Sequence, residues 1–114
     1  MEFSPSVEQL VNQALCAPTD SSLTAEAVRQ SMDFFAKQNP GRSVEVRVPP
    51  YRVVQILGGS THRRGTPPAV VEMSALTWLQ LISGEITWVD GQNSGLIQAS
   101  GVGSNLATLF EAVS

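Results

Sequence analysis

Apolar residues fall at helical spacing over roughly the first forty positions, then at strand spacing, and then at helical spacing again. Val7, Leu10, Val11, Ala14 and Leu15 line one side of a helix, and Ser4-Pro5 offers a cap followed by a proline at the first helical position. The spacing predicts a first helix ending at about Cys16, followed by a turn or linker over 17–22. A second helix is expected from about Thr24, with Val28, Met32, Phe35 and Ala36 in one stripe and Asn39-Pro40-Gly41 as its stop.

From Val44 the period changes to two. Val44, Val46 and Val48 alternate with Glu45 and Arg47, as in a strand with one buried and one wet face, and Pro49-Pro50 breaks it. Residues 51–57 are apolar on both sides, with Val53 and Leu57 on one and Val54 and Ile56 on the other, which predicts a central strand antiparallel to the first. Ala69–Met73 reads as a third strand. Leu76, Trp78, Leu79, Leu81 and Ile82 form a helix stopped by Gly84, in the position that favours a left-handed residue. Thr87 and Asp90 start a short helix over 88–94 closed by Gly95, and 96–99 is a short strand. Ser104 is the expected cap of a last helix carrying Leu106, Leu109, Phe110 and Val113. Two helices, then strands, then a helical end make the class α+β.

Composition narrows the function. At 114 residues, with 42% hydrophobic content and a mean hydropathy of +0.03, the chain suits one globular domain. A net charge of −3 leaves no cationic surplus for nucleic acid. No apolar run approaches the ~20 residues of a spanning helix. The start Met1-Glu2-Phe3-Ser4-Pro5 lacks the pattern of a secretory leader, and the single cysteine, Cys16, suits a reducing interior. The cytoplasm is the expected location.

Candidate chemistry is sparse. The only histidine, His62, has no nucleophile in a recognisable motif, so no catalytic residue is assigned. Cys16, on the first helix, is read as a small buried hydrophobe. One His and one Cys far apart supply no metal site, and no cofactor motif is present. His62, Arg64 and Thr66, with Glu72 on the next strand, form a polar cluster. Such a cluster either holds an anionic group or pins its loop through Arg–Glu pairs. Val54, Ile56, Trp78, Leu79, Ile82, Leu106, Leu109 and Phe110 are expected to converge on one side of the sheet. Pattern alone is consistent with a filled core and with a hollow one.

Three blocks in order carry a resemblance. Residues 42–50 read R-S-V-E-V-R-V-P-P, and 62–68 read H-R-R-G-T-P-P, with Val71-Glu72 following. The third block holds Trp78-Leu79, Gly84, Trp88 and Asp90. Together they resemble the sterol carrier protein type 2-like domains, in their small bacterial (actinobacterial) form, over residues 40–113. Arg63 fills the variable slot of the second block, so Arg64 is its motif arginine. The resemblance implies a mainly antiparallel sheet of about four to five strands covered by helices. It makes residues 1–114 one domain, with 1–40 a helical N-terminal part and 41–114 the family-like sheet and C-terminal helices.

It also implies a non-enzymatic carrier. The eight apolar residues would line a tunnel under the C-terminal helix for a fatty acid, acyl-CoA or sterol-like lipid, with transient membrane-surface contact. The chain is also similar to the accessory domain of mycothiol-dependent maleylpyruvate isomerases, which implies a filled core and a docking role. A homodimer or a partner enzyme would then meet the first helix through Val7, Leu10 and Val11.

Overall fold

The computed structural model describes residues 3–58 and 69–111. Helix α1 spans Pro5–Cys16, started by Ser4, whose side chain accepts a hydrogen bond from the Val7 amide. Helix α2 spans Ser21–Gln38. It begins three residues before Thr24, because the Asp20 carboxylate accepts from the Leu23 amide at 3.0 Å. Val7, Val11 and Ala14 are buried, and α1 packs on α2 and α3. Of the stripe that the sequence offers to a second chain, Val7 and Val11 are buried within the chain and Leu10 is half-buried.

Strands β1 (Val44–Val48), β2 (Arg52–Ile56), β3 (Ala69–Met73) and β4 (Ile97–Ser100) form a sheet in the order β2-β1-β3-β4. The pairs β1–β2 and β3–β4 are antiparallel, whereas β1–β3 is parallel, with Val44 opposite Ala69 and Val46 opposite Val71. The sheet is thus mixed, mainly antiparallel. Strand β2 lies at an edge and not at the centre as its apolar content predicts. Val53 and Gln55 face outward and are exposed, so one of its two apolar sides meets solvent.

Helices pack on one face of the sheet. Val44, Val46, Val48, Ile56, Val71, Met73 and Ile97 point inward and are buried, each contributing about 1.5–3 kcal/mol of apolar burial. Helix α3 (Ala75–Ser83) is capped by Ser74 and closed by Gly84 at φ +83. Helix α4 (Trp88–Asn93) is capped by Thr87, which accepts from the Asp90 amide at 3.0 Å. A side chain at Gly91 would meet Ile97, so this glycine lets α4 sit close on β4. Helix α5 (Ala107–Glu111) starts later than Ser104 implies. The Asn105 side chain, not that of Ser104, accepts from the Ala107 amide, at 3.0 Å. No helix of the described residues is long and apolar enough to cross a membrane.

Candidate functional site

The apolar interior between α5 and the sheet is organised around four aromatic rings from four helices. Trp78 of α3 meets Phe35 of α2 edge-on, with centroids 5.2 Å apart. Phe110 of α5 stacks on Phe35 at 5.5 Å and on Trp88 of α4 at 5.9 Å, and stands edge-on to Trp78 at 6.2 Å. One ring from the shortest helix therefore touches aromatic rings on three others. Offset-stacked and edge-on pairs are the favoured arrangements, each adding about 0.5–1.5 kcal/mol beyond burial.

The two indoles differ in their polar ends. Trp78 Nε1 donates to Ser31 Oγ at 2.9 Å, and Ser31 in turn donates to the Ala27 carbonyl at 2.6 Å. Both residues are fully buried, so this chain of bonds satisfies a polar group inside an apolar core. Trp88 is 3% exposed, and its Nε1 is buried without a hydrogen-bond partner.

All eight apolar residues singled out in the sequence come together on the inner side. Ile56, Trp78, Leu79, Ile82, Leu106 and Phe110 are buried in one cluster, and Val54 and Leu109 pack half-buried against it. Sequence reasoning missed Phe35 and Trp88 as members of the site. Phe35 stood out only as one position of the α2 stripe, and Trp88 only as part of a motif; the ring of Phe110 is what joins them.

The polar cluster is placed differently. His62, Arg64 and Thr66 lie outside the described residues. Glu72 is half-buried on the outer face of β3, opposite Arg47 of β1, with the sheet between it and the aromatic rings. A groove of 290 Å³ runs over this outer face, lined by Arg47, Val70, Glu72, Gln98 and Ser100 among others. Arg47 itself is paired with Glu45 on the same strand, through Nε at 2.6 Å, a partly exposed pair of the kind that contributes little. A second, shallow hollow on the outer side of α1 is lined by Glu8, Asn12 and Cys16. Cys16 is exposed there and is not the buried hydrophobe that its helix position suggests, because it falls off the Val7–Val11–Ala14 stripe. Among the described residues no group of three or more His, Cys, Asp or Glu gathers as metal ligands.

Comparison with known proteins adds one finding. A family described as "Bacterial SCP ortholog" matches residues 20–111, from the cap of α2 to the end of α5, and so begins well before residue 40, where the sequence resemblance starts. The curated proteins give no significant match.

Proposed function

The chain belongs to the bacterial sterol carrier protein orthologs, and on that premise we propose that it is a non-enzymatic carrier of an apolar or amphipathic small molecule held beneath α5. The observation that supports this reading is the way α5 closes the interior. It is a helix of five residues, seated by Leu106 just before its start and by Phe110 within it, both buried over the aromatic rings. An isolated helix of that length has no stability of its own, so these anchors hold it in place.

Lifting Phe110 out would forfeit about 1.5–3 kcal/mol of burial and about 0.5–1.5 kcal/mol for each of its three ring contacts, while each methylene of an incoming chain returns about 0.8 kcal/mol. Roughly four to nine methylenes offset the ring, and a longer chain exceeds it. Ile56, Trp78, Leu79 and Ile82 would then line the bound chain from the sheet and α3, with Val54 and Leu109 at its margin. An exposed lone thiol at Cys16 suits the reducing cytoplasm, where we place the protein.

Native mass spectrometry of protein taken from its own host, followed by organic extraction, tests the reading directly. A co-purifying acyl chain or isoprenoid is the expected result; a clean mass with no shift on adding lipid would refute it. Leu109→Trp locates the site. It puts a larger ring at the margin of the proposed site and is expected to weaken lipid binding at least about tenfold while leaving the unfolding temperature within a few degrees of the wild type. Undiminished binding would move the site away from α5.

A further inference from the structure

Two buried indole N–H groups flank the Phe110 ring, and only one has an acceptor. Trp78 gives its proton to Ser31 at 2.9 Å, whereas Trp88 Nε1 is enclosed and unpaired. A buried donor without an acceptor is a standing penalty that any correctly placed oxygen removes. The other unpaired buried donor among the described residues, Arg52 Nε, belongs to a guanidinium already paired with Asp33 at 2.7 Å and 37% exposed. Trp88 has no such outlet.

Geometry and charge limit what the acceptor can be. Phe110 covers one face of the Trp88 indole, with the two planes 5° apart. An N–H bond lies in the plane of its ring, so the oxygen must approach the indole edge. From Ala69 to the end, the chain contains no Lys, Arg or His. This stretch supplies β3, α3, α4, β4 and α5, and its charged residues are Glu72, Glu85, Asp90 and Glu111. Among the described cations, Arg29, Lys37 and Arg42 are exposed, Arg47 pairs with Glu45 on the outer face, and Arg52 pairs with Asp33, while His62, Arg63 and Arg64 lie outside the described residues. An anionic head brought to Trp88 would lose its water close in sequence to Asp90 and gain no positive partner from this stretch.

We propose that Trp88 Nε1 anchors the head of the bound molecule and selects a neutral accepting oxygen, as in an alcohol, ketone or ester, over a carboxylate or phosphate. This inference rests on the carrier reading and narrows it, since fatty acids and acyl-CoA become the poorer ligands. One neutral hydrogen bond made to a bound molecule inside the protein corresponds to roughly tenfold in affinity.

The test uses ¹⁵N-labelled protein and its two indole N–H resonances, assigned from the spectrum of Trp88→Phe. Three probes of equal chain length are added at neutral pH: 1-dodecanol, dodecane and laurate. Dodecanol is expected to move the Trp88 resonance downfield and leave that of Trp78 nearly in place, while dodecane binds without that shift. Trp88→Phe is expected to weaken dodecanol about tenfold and dodecane hardly at all, and laurate to bind at least about tenfold more weakly than dodecanol. Dodecanol binding with the Trp88 resonance unmoved, or laurate binding as tightly as dodecanol, would overturn the anchor and leave the carrier reading intact. Failure of all three probes to bind would bring down the carrier reading, and the anchor with it. Should Trp88→Phe fail to fold, Trp78→Phe assigns the two resonances, and the wild-type shifts and the ranking of probes decide.

Discussion

At the scale of single residues, the bond from Trp78 to Ser31 is a polar commitment inside the aromatic cluster. Ser31→Ala removes the acceptor and leaves a fully buried indole N–H unpaired, which is expected to destabilise the fold by about 1–3 kcal/mol. Thermal unfolding measures it as a drop of several degrees. In the Trp78→Phe background the same change should do much less, because the donor is gone, so a double-mutant cycle isolates the bond. Two glycines give a second contrast. A Cβ at Gly41 (φ +147) would lie on the backbone carbonyl of Leu57, whereas one at Gly95 (φ +81) meets nothing within 4 Å. Gly95→Ala should lose about 1–2 kcal/mol from its left-handed backbone alone, and Gly41→Ala clearly more, as judged by chemical denaturation. The role of Gly95 was legible in the sequence as the stop of a short helix. That of Gly41 was not, because its conflict is with a residue brought back by the β1–β2 turn.

At the scale of elements, α5 is the piece with the fewest ties. Phe110→Ala is expected to lower stability by about 3 kcal/mol and to raise amide hydrogen exchange throughout α5. Amides at the centre of β1 and β3 should keep their protection; equal loss in both regions would mean that α5 and the sheet open as one unit. Local signals served the sequence reading well where a cap sits beside its helix, as at Ser4 and Thr87. They misled where two polar residues compete, as Ser104 and Asn105 do before α5. The edge position of β2 was hidden for a different reason. Val53 imitates a buried residue in the one-dimensional pattern, and only the sheet order shows that its side faces water at 53% exposure. The inward placement of the eight apolar residues was legible because their spacing assigns each to an inner face. Trp88 and its unpaired N–H were not, since a missing partner has no signature in a sequence.

For the whole molecule, the family match and the folded unit have different beginnings. The match starts at residue 20, yet α1 buries Val7, Val11 and Ala14 against α2 and α3. Removing residues 1–18 exposes the surfaces those side chains cover and should forfeit roughly 3–6 kcal/mol of apolar burial, a large part of a normal stability margin of about 5–15 kcal/mol. The truncated chain is expected to unfold at a much lower temperature or to associate, as read by calorimetry and gel filtration; an unchanged unfolding temperature would show α1 to be an accessory. The parallel seam between β1 and β3 lay beyond the sequence, because the strand pattern does not say on which side of β1 the third strand joins.

Among the described residues the strand order also leaves two ladders of backbone groups without a neighbouring strand, on β2 and β4, and such edges are where sheets recruit strands from one another. Each edge is kept short of a usable template. Strand β2 follows Pro49-Pro50 and carries Arg52, clamped to Asp33 of α2. Strand β4 is four residues long and bracketed by Gly95 and Gly101, both at positive φ, which turn the backbone out of the sheet at either end. A copy arriving at β4 finds too little ladder to extend, so the glycines that shape the turns also guard the molecule against growing into a fibre.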